Sequence, residues 1–179
     1  RIRITKRIGD IFAAPPNTVL IHACNAVGSW GGGIALAFRN HYPSEFRIYR
    51  AHCARSAPDR LVGTALLISP QRESRNDTGR GHYIGCLFTS RSHGTAKDPP
   101  ESILQATAPA MRHLMRLIVE KEVRTGVGIG QLRMCKINSG LFAVPWARSK
   151  RAIEEMELGE GEVPACAEGG VVQVVVYER

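Results

Sequence analysis

The chain has 179 residues and a net charge of +8, with 44% hydrophobic and 22% charged residues. That length and balance fit one globular domain with its own core. A membrane-spanning helix is excluded, because no apolar run approaches the roughly 20 residues a span requires. The positive charge admits anionic partners such as nucleotides or nucleic acid. Lys and Arg are scattered, however, without interleaved aromatics, so a solvated basic surface is the first reading.

Ile2 to Arg7 reads as a first strand, followed by a turn at Gly9-Asp10-Ile11-Phe12. Thr18 to Ala23 is a second, fully apolar strand. A helix is predicted from Gly33 to Asn40, and another from Pro43 to Arg55. Ala57-Pro58-Asp59 resembles a turn, and Leu61 to Ser69 reads as a strand. Gln71 to Arg80 is polar and reads as a mobile surface loop. His82 to Thr89 is a strand, and Ser90 to Lys97 a second polar loop. Asp98 is expected to cap a long helix that runs to Glu122, with Pro109 kinking or splitting it. Thr125 to Gln131 is punctuated by glycine and reads as a connector. Leu132 to Ile137 is a strand, Asn138 to Val144 a loop, and Pro145-Trp146 opens a helix to Leu158. Leu158 to Gly170 reads as a loose acidic segment, and Val171 to Tyr177 as a last buried strand. Six strands with interleaved helices predict a single α/β domain over residues 1–179, a three-layer α/β/α sandwich around a mixed six-stranded sheet.

The stretch from Ile21 to Ala35 carries the most chemistry. A strand runs into Gly31-Gly32-Gly33 and then into a helix. Glycines let backbone N–H groups converge on one point, and the helix adds the positive end of its dipole. This context suits a phosphate. It lacks the Lys-Ser/Thr of a Walker loop and the spacing of a dinucleotide fingerprint. Asn138-Ser139-Gly140-Leu141-Phe142 is a second strand-to-loop passage. At the carboxyl ends of central parallel strands, two such loops can face each other across a crevice, which suits a diphosphate.

His22 and Cys24 lie two apart on a strand and point to one face. His22 is thus a candidate general base, with a structural, hydrogen-bonded histidine as the alternative. Cys24 lacks the anion loop ending in Arg that a cysteine phosphatase requires. No metal site is expected, since the six histidines show no ligand spacing on a shared face. Five cysteines without a CxxC pair read as reduced thiols. With no secretory leader legible, a cytoplasmic or nuclear protein is expected.

Together these residues resemble the macrodomain family. The likeness rests on Gly9-Asp10-Ile11-Phe12, on His22 through Ala35, and on Lys136 through Trp146. Cys86 to Ser90 and Ser92-His93-Gly94 add a likeness to the fungal ADP-ribose 1″-phosphate phosphatase branch. The resemblance implies a macrodomain fold and an ADP-ribose cleft. Gly9, Asp10 and Ile11 would meet adenine, with Tyr177 nearby. Asn25 would hold the distal ribose, and Trp30, Gly31, Gly32, Gly33 and Ile34 would line the ribose and phosphate side. Ser139, Gly140, Leu141 and Phe142 would wrap the diphosphate, with Phe142 packing on the distal ribose and Asn138 also in the ADP-ribose site. His22, Asn25 and His93 would act in catalysis.

The expected activity is hydrolysis of ADP-ribose 1″-phosphate, the by-product of tRNA splicing, with no cofactor. Two alternatives accompany it: removal of ADP-ribose from acidic side chains or nucleic-acid ends, and reading of ADP-ribose without turnover. Ser90 and Phe142 stand where one ester-cleaving branch carries Lys and Asp, which disfavours a lysyl intermediate. The expected partners are small ADP-ribose compounds and ADP-ribosylated protein. Nucleic acid is the minor alternative. A monomer away from any membrane is expected.

Overall fold

The computed structural model describes residues 1–72 and 81–178. Most of the polar loop predicted at Gln71–Arg80 lies outside those residues. In chain order the elements are β1 (Ile2–Ile8), β2 (Thr18–Asn25), α1 (Gly33–His41), α2 (Pro43–Ala54), α3 (Pro58–Leu61), β3 (Ala65–Ile68), β4 (Tyr83–Ser90), α4 (Pro100–Thr125), β5 (Gln131–Met134), α5 (Trp146–Glu154) and β6 (Val172–Glu178). The strands form one six-stranded sheet in the order β1-β6-β5-β2-β4-β3. Every neighbouring pair is parallel except β3–β4, so the sheet is mixed.

Side-chain alternation divides the core in two. Val19 and Ile21 of β2, with Val172, Val174 and Val176 of β6, face Met111, Leu114, Met115 and Ile118 of α4 and Ile153 of α5. Leu20 and Cys24 of β2 and Ile84, Cys86 and Phe88 of β4 face Phe38 of α1 and Phe46, Tyr49 and Cys53 of α2. The result is the predicted three-layer sandwich. β2 is buried along nearly its whole length, as expected of a central parallel strand covered on both faces. Gly85 lets α4 approach β4 closely, since a Cβ there would stand 2.9 Å from Leu114 Cδ2 and 3.2 Å from Ile21 Cγ1.

Several local expectations are corrected. The Pro58 turn is a short helix, and the strand after it begins only at Ala65. Asp98 does not cap α4, whose N-cap is Pro99. Its carboxylate instead accepts the Arg91 backbone N–H at 2.9 Å and Arg91 Nε at 2.9 Å, which folds the β4–α4 loop back on itself. Pro109 does not split α4, which continues for 26 residues to a left-handed Gly126 with φ of 70°. Pro109 lies on the exposed side, where water can take the carbonyl it frees.

The acidic segment before β6 is irregular but not loose. Glu162 is 4% exposed. It accepts the Gly159 N–H at 2.7 Å, Arg112 Nη1 at 2.6 Å and Arg116 Nε at 2.8 Å. These contacts, the Gly159 N–H first and then Arg116 and Arg112, hold the carboxyl below its ordinary value against the opposing effect of burial. A lowered folded pKa adds stability above the unfolded carboxyl's value of about 4.3. That contribution is lost as pH falls through the folded value. Glu162→Gln should therefore lower the urea midpoint at about pH 7, and the gap to wild type should close towards about pH 3. A gap independent of pH would show that the charge of Glu162 does not pin the segment.

Candidate active site

The carboxyl ends of β1, β6, β5, β2 and β4 share one edge of the sheet, because all five strands run the same way. Open α/β sheets take ligands at that edge. Along it lie the Gly9–Phe12 turn, Tyr177, the Asn138–Phe142 loop, the Asn25–Gly33 loop and the His93 loop. This order puts Asp10 towards one end and His93 towards the other.

The glycine loop begins at an irregularity. The register of β2 against β4 shifts between Cys24 and Asn25, and such a bulge re-aims the next side chain. Asn25 Oδ1 accepts the N–H of Val27 at 3.1 Å, the N–H of Ser29 at 3.2 Å and the hydroxyl of Tyr49 at 3.0 Å. Its Nδ2 donates to the Ser29 carbonyl at 2.7 Å. The carboxamide thus shapes the loop from a buried position. Gly32 is the N-cap of α1, and no side chain caps that helix. The first amides of α1 are therefore open to an anion in the crevice. Gly33 has φ of 57°, a conformation that costs an L residue roughly 1–2 kcal/mol.

The facing loop is built on Asn138, which is 4% exposed. The sequence places it in the ADP-ribose site, but the structure turns its side chain into the protein. Oδ1 accepts from Thr89 Oγ1 at 2.8 Å, and Nδ2 donates to Thr107 Oγ1 at 3.1 Å and Ser149 Oγ at 3.0 Å. Its φ of 62° is one that Asn tolerates better than most residues. Asn138 anchors the loop to β4, α4 and α5, while Ser139, Gly140 and Leu141 are exposed at the tip. There the two loops meet: a Cβ on Gly32 would lie 3.0 Å from Leu141 Cδ1, and one on Gly33 would lie 3.7 Å away. Phe142 is half-buried behind the tip, and Ile34 is 40% exposed in the first turn of α1.

At the other end Asp10 is exposed, and its Oδ1 accepts the Phe12 N–H at 2.9 Å. Ile11 is buried, and Phe12 stacks on His41 with centroids 4.1 Å apart. Gly9 passes close to the Tyr177 ring, since a Cβ on it would lie 3.5 Å from the ring's Cδ1 and Cε1. Arg133 stacks on the same ring at 4.5 Å and donates to the Ala13 carbonyl at 3.1 Å. Arg133 and Tyr49 brace the site, and sequence reading missed both. A buried charge within an apolar strand was the available signal for Arg133; Tyr49 had none.

Two more predicted site residues, besides Asn138, lie in the core. His22 is 0% exposed. Its ring lies flat on Phe38, centroids 4.0 Å apart at 6°, with Trp30 edge-on at 4.9 Å. A general base must reach the proton it removes, and this ring is sealed beneath α1. Trp30 is likewise 0% exposed and stacks on Tyr49 at 4.8 Å, so it supports the loop from below. His93 is exposed beside the 3-10 turn Gly94–Ala96.

The structure also gathers His22, Cys24 and Cys86, with ligand atoms within 4.8 Å of one another, a trio the sequence reading did not foresee. Cys24 Sγ lies 3.7 Å from Nδ1 and 3.5 Å from Nε2. Burial pushes the Cys24 thiol well up, Cys53 up to about 11 and Cys135 up to about 12. Thiols raised in this way are weak nucleophiles at neutral pH. All five cysteines are free.

The crevice therefore presents backbone amides and small or apolar side chains between an exposed carboxylate and an exposed imidazole. Such a lining can bind a phosphorylated, extended ligand and stabilise negative charge on it. The Macro domain family model matches residues 21–153. The chain is 74% identical, over its whole length and 97% of the relative's, to the ADP-ribose 1″-phosphate phosphatase of Chaetomium globosum. The macrodomain of Mycobacterium tuberculosis DarG shares the fold, with a TM-score of 0.67 at 20% identity over 99% of this chain and 98% of that one. Thermosipho africanus DarTG in complex with ADP-ribose does so with a TM-score of 0.60 at 20% identity, over 97% of this chain and 41% of that one. With this fold, this crevice and a family match across most of its length, the chain belongs to the macro domain family.

Proposed function

We propose that the chain hydrolyses ADP-ribose 1″-phosphate to ADP-ribose and inorganic phosphate. The observation that carries this reading is the 74% identity, end to end, with a relative of that name. The geometry of the crevice supports it. Asp10 stands where it can accept from an adenine amino group. The loop held by Asn138 offers Ser139, Gly140, Leu141 and Phe142 to the diphosphate. The glycine loop and the first amides of α1 take the distal ribose and the terminal phosphate. Leu141 lies over Gly32 and Gly33, so a ligand entering there displaces it.

Hydrolysis adds water across the phosphate ester, and the developing charge needs fixed donors. The open amides near Gly32 and Gly33 supply them. With His22 sealed in the core, His93 is the one titratable side chain of the predicted catalytic set that water can reach. The burial of His22 also favours a second reading, in which ADP-ribose is bound without turnover.

Incubation with ADP-ribose 1″-phosphate should release inorganic phosphate. Gly33→Glu adds bulk, strain and a carboxylate at the phosphate position. It should abolish that release and weaken ADP-ribose binding by at least about tenfold, or ~1.4 kcal/mol. Tight ADP-ribose binding by the wild type with no phosphate released would sink the phosphatase reading and leave the second.

Losing a general base costs about 10²–10⁴-fold in rate. His22→Phe keeps the ring stack on Phe38 and should hold kcat within about one order of magnitude of wild type. A full general-base loss in a folded variant would return His22 to the mechanism.

A further inference from the structure

The sequence scatters its basic residues, but the fold gathers three of them. Arg39 in the last turn of α1, with Arg47 and Arg50 of α2, surrounds an open hollow of about 530 Å³ that is also lined by Asn40, Pro43 and Phe46. The guanidinium of Arg39 sits 4.5 Å above the Phe46 ring, and that of Arg50 lies 5.7 Å from it. Phe46 is 7% exposed, so it serves as a platform that fixes the two charges. Arg47 Nη2 donates to Ser44 Oγ at 3.2 Å. Among the described residues no carboxylate forms an ion pair with any of the three. Glu45, in the first turn of α2, is fully buried and leaves the rim to the guanidiniums.

A second observation points the same way. α2 is 12 residues long and starts at this hollow, with Pro43 at its first position and no side chain capping it. Its N-terminal partial charge therefore adds to the three guanidiniums. Like charges held together without an ion-paired carboxylate among the described residues favour an anion between them, and guanidinium matches phosphate oxygens in pairs. The site is not the crevice. Arg39 lies six residues along α1 from Gly33, about 9 Å down the helix axis.

We propose that this hollow holds the phosphodiester backbone of a single-stranded nucleic acid. A hollow of about 530 Å³ exceeds the needs of a lone phosphate and admits the flanking sugars. The net charge of +8 extends the attraction beyond the hollow, which suits a polymer of phosphates over a single anion. A flexible single strand can splay its sugars to follow a hollow of this size around one phosphate. This site is independent of the hydrolytic reading.

The test is fluorescence anisotropy with a short fluorescein-labelled oligouridylate at several salt concentrations. The variant combining Arg39→Gln, Arg47→Gln and Arg50→Gln should bind at least about tenfold more weakly. Its log–log salt slope should fall by about two, the value for three single-strand phosphate contacts. ADP-ribose binding, unchanged in the variant, reports that it is folded; should it not fold, Arg47→Glu gives the same readout from one exposed reversal. Wild-type affinity and slope in the variants would overturn the proposal. So would displacement of the oligonucleotide by saturating ADP-ribose, which would move it to the crevice. Oligoglutamate binding as tightly would point to an acidic protein instead. Inorganic phosphate competing as well, phosphate for phosphate, would assign the hollow to the free ion.

Discussion

The carboxamide of Asn25 is the constraint on which the crevice depends. One oxygen collects the N–H groups of Val27 and Ser29 and the hydroxyl of Tyr49, and the nitrogen returns to the Ser29 carbonyl. This knot turns the chain sharply at the end of the central strand. Trp30 can then drop into the core against Tyr49, and the three glycines that follow are left at the edge. The single Tyr49 hydroxyl hydrogen is shared with the Asn25 carbonyl, 2.7 Å from Oη, so α2 holds the loop from behind. α1 inherits its starting point from this turn, and its uncapped first amides therefore face the crevice.

Asn138 does the same work on the opposite wall. It spends its side chain on Thr89, Thr107 and Ser149 and presents backbone at the tip. Both asparagines thus act inward, as scaffold, and the ligand-facing surface is largely main chain. A surface of this kind reads phosphate geometry through amides fixed before the ligand arrives, without the entropy cost of ordering long side chains. At Gly33 the need for glycine is conformational, with φ of 57°, while a Cβ at Gly32 would press on Leu141 Cδ1 at 3.0 Å.

The sequence made the layers legible because their signals are local. The alternation in β2 and β6, the glycine triplet before α1 and the spacing of α4 each follow from one segment's own pattern. What it could not convey was which element covers which face. Strand alternation put His22 and Cys24 on one side, but only the packing of α1 and Phe38 over that side turns a candidate base into a core residue. Asn138 looked like a ligand contact because its neighbours do face the crevice; its own direction is set by a left-handed backbone and by three hydroxyls from distant elements. Asp98 sat in a capping position, yet Arg91 offered it two donors. The Arg39, Arg47 and Arg50 hollow was invisible for the same reason, since its members join only when α1 and α2 pack at their shared corner.

The sealing of His22 alters where catalytic power can come from. Hydrolysis of a phosphate monoester needs the negative charge on the transferring group balanced as it redistributes. Fixed amides can do much of that without a side-chain base. Burying an imidazole against Phe38 and Trp30 serves this arrangement in another way. It makes a rigid floor beneath α1 and the loop that precedes it, and the position of the glycine amides is only as fixed as that floor. A substitution at His22 that disturbs the ring stack would thus act through the placement of donors rather than through proton transfer. The same reasoning extends to Trp30 and Tyr49, whose stacked rings join the floor to α2. Aromatic packing under this loop thus sets the shape of the crevice wall even though none of those rings faces it.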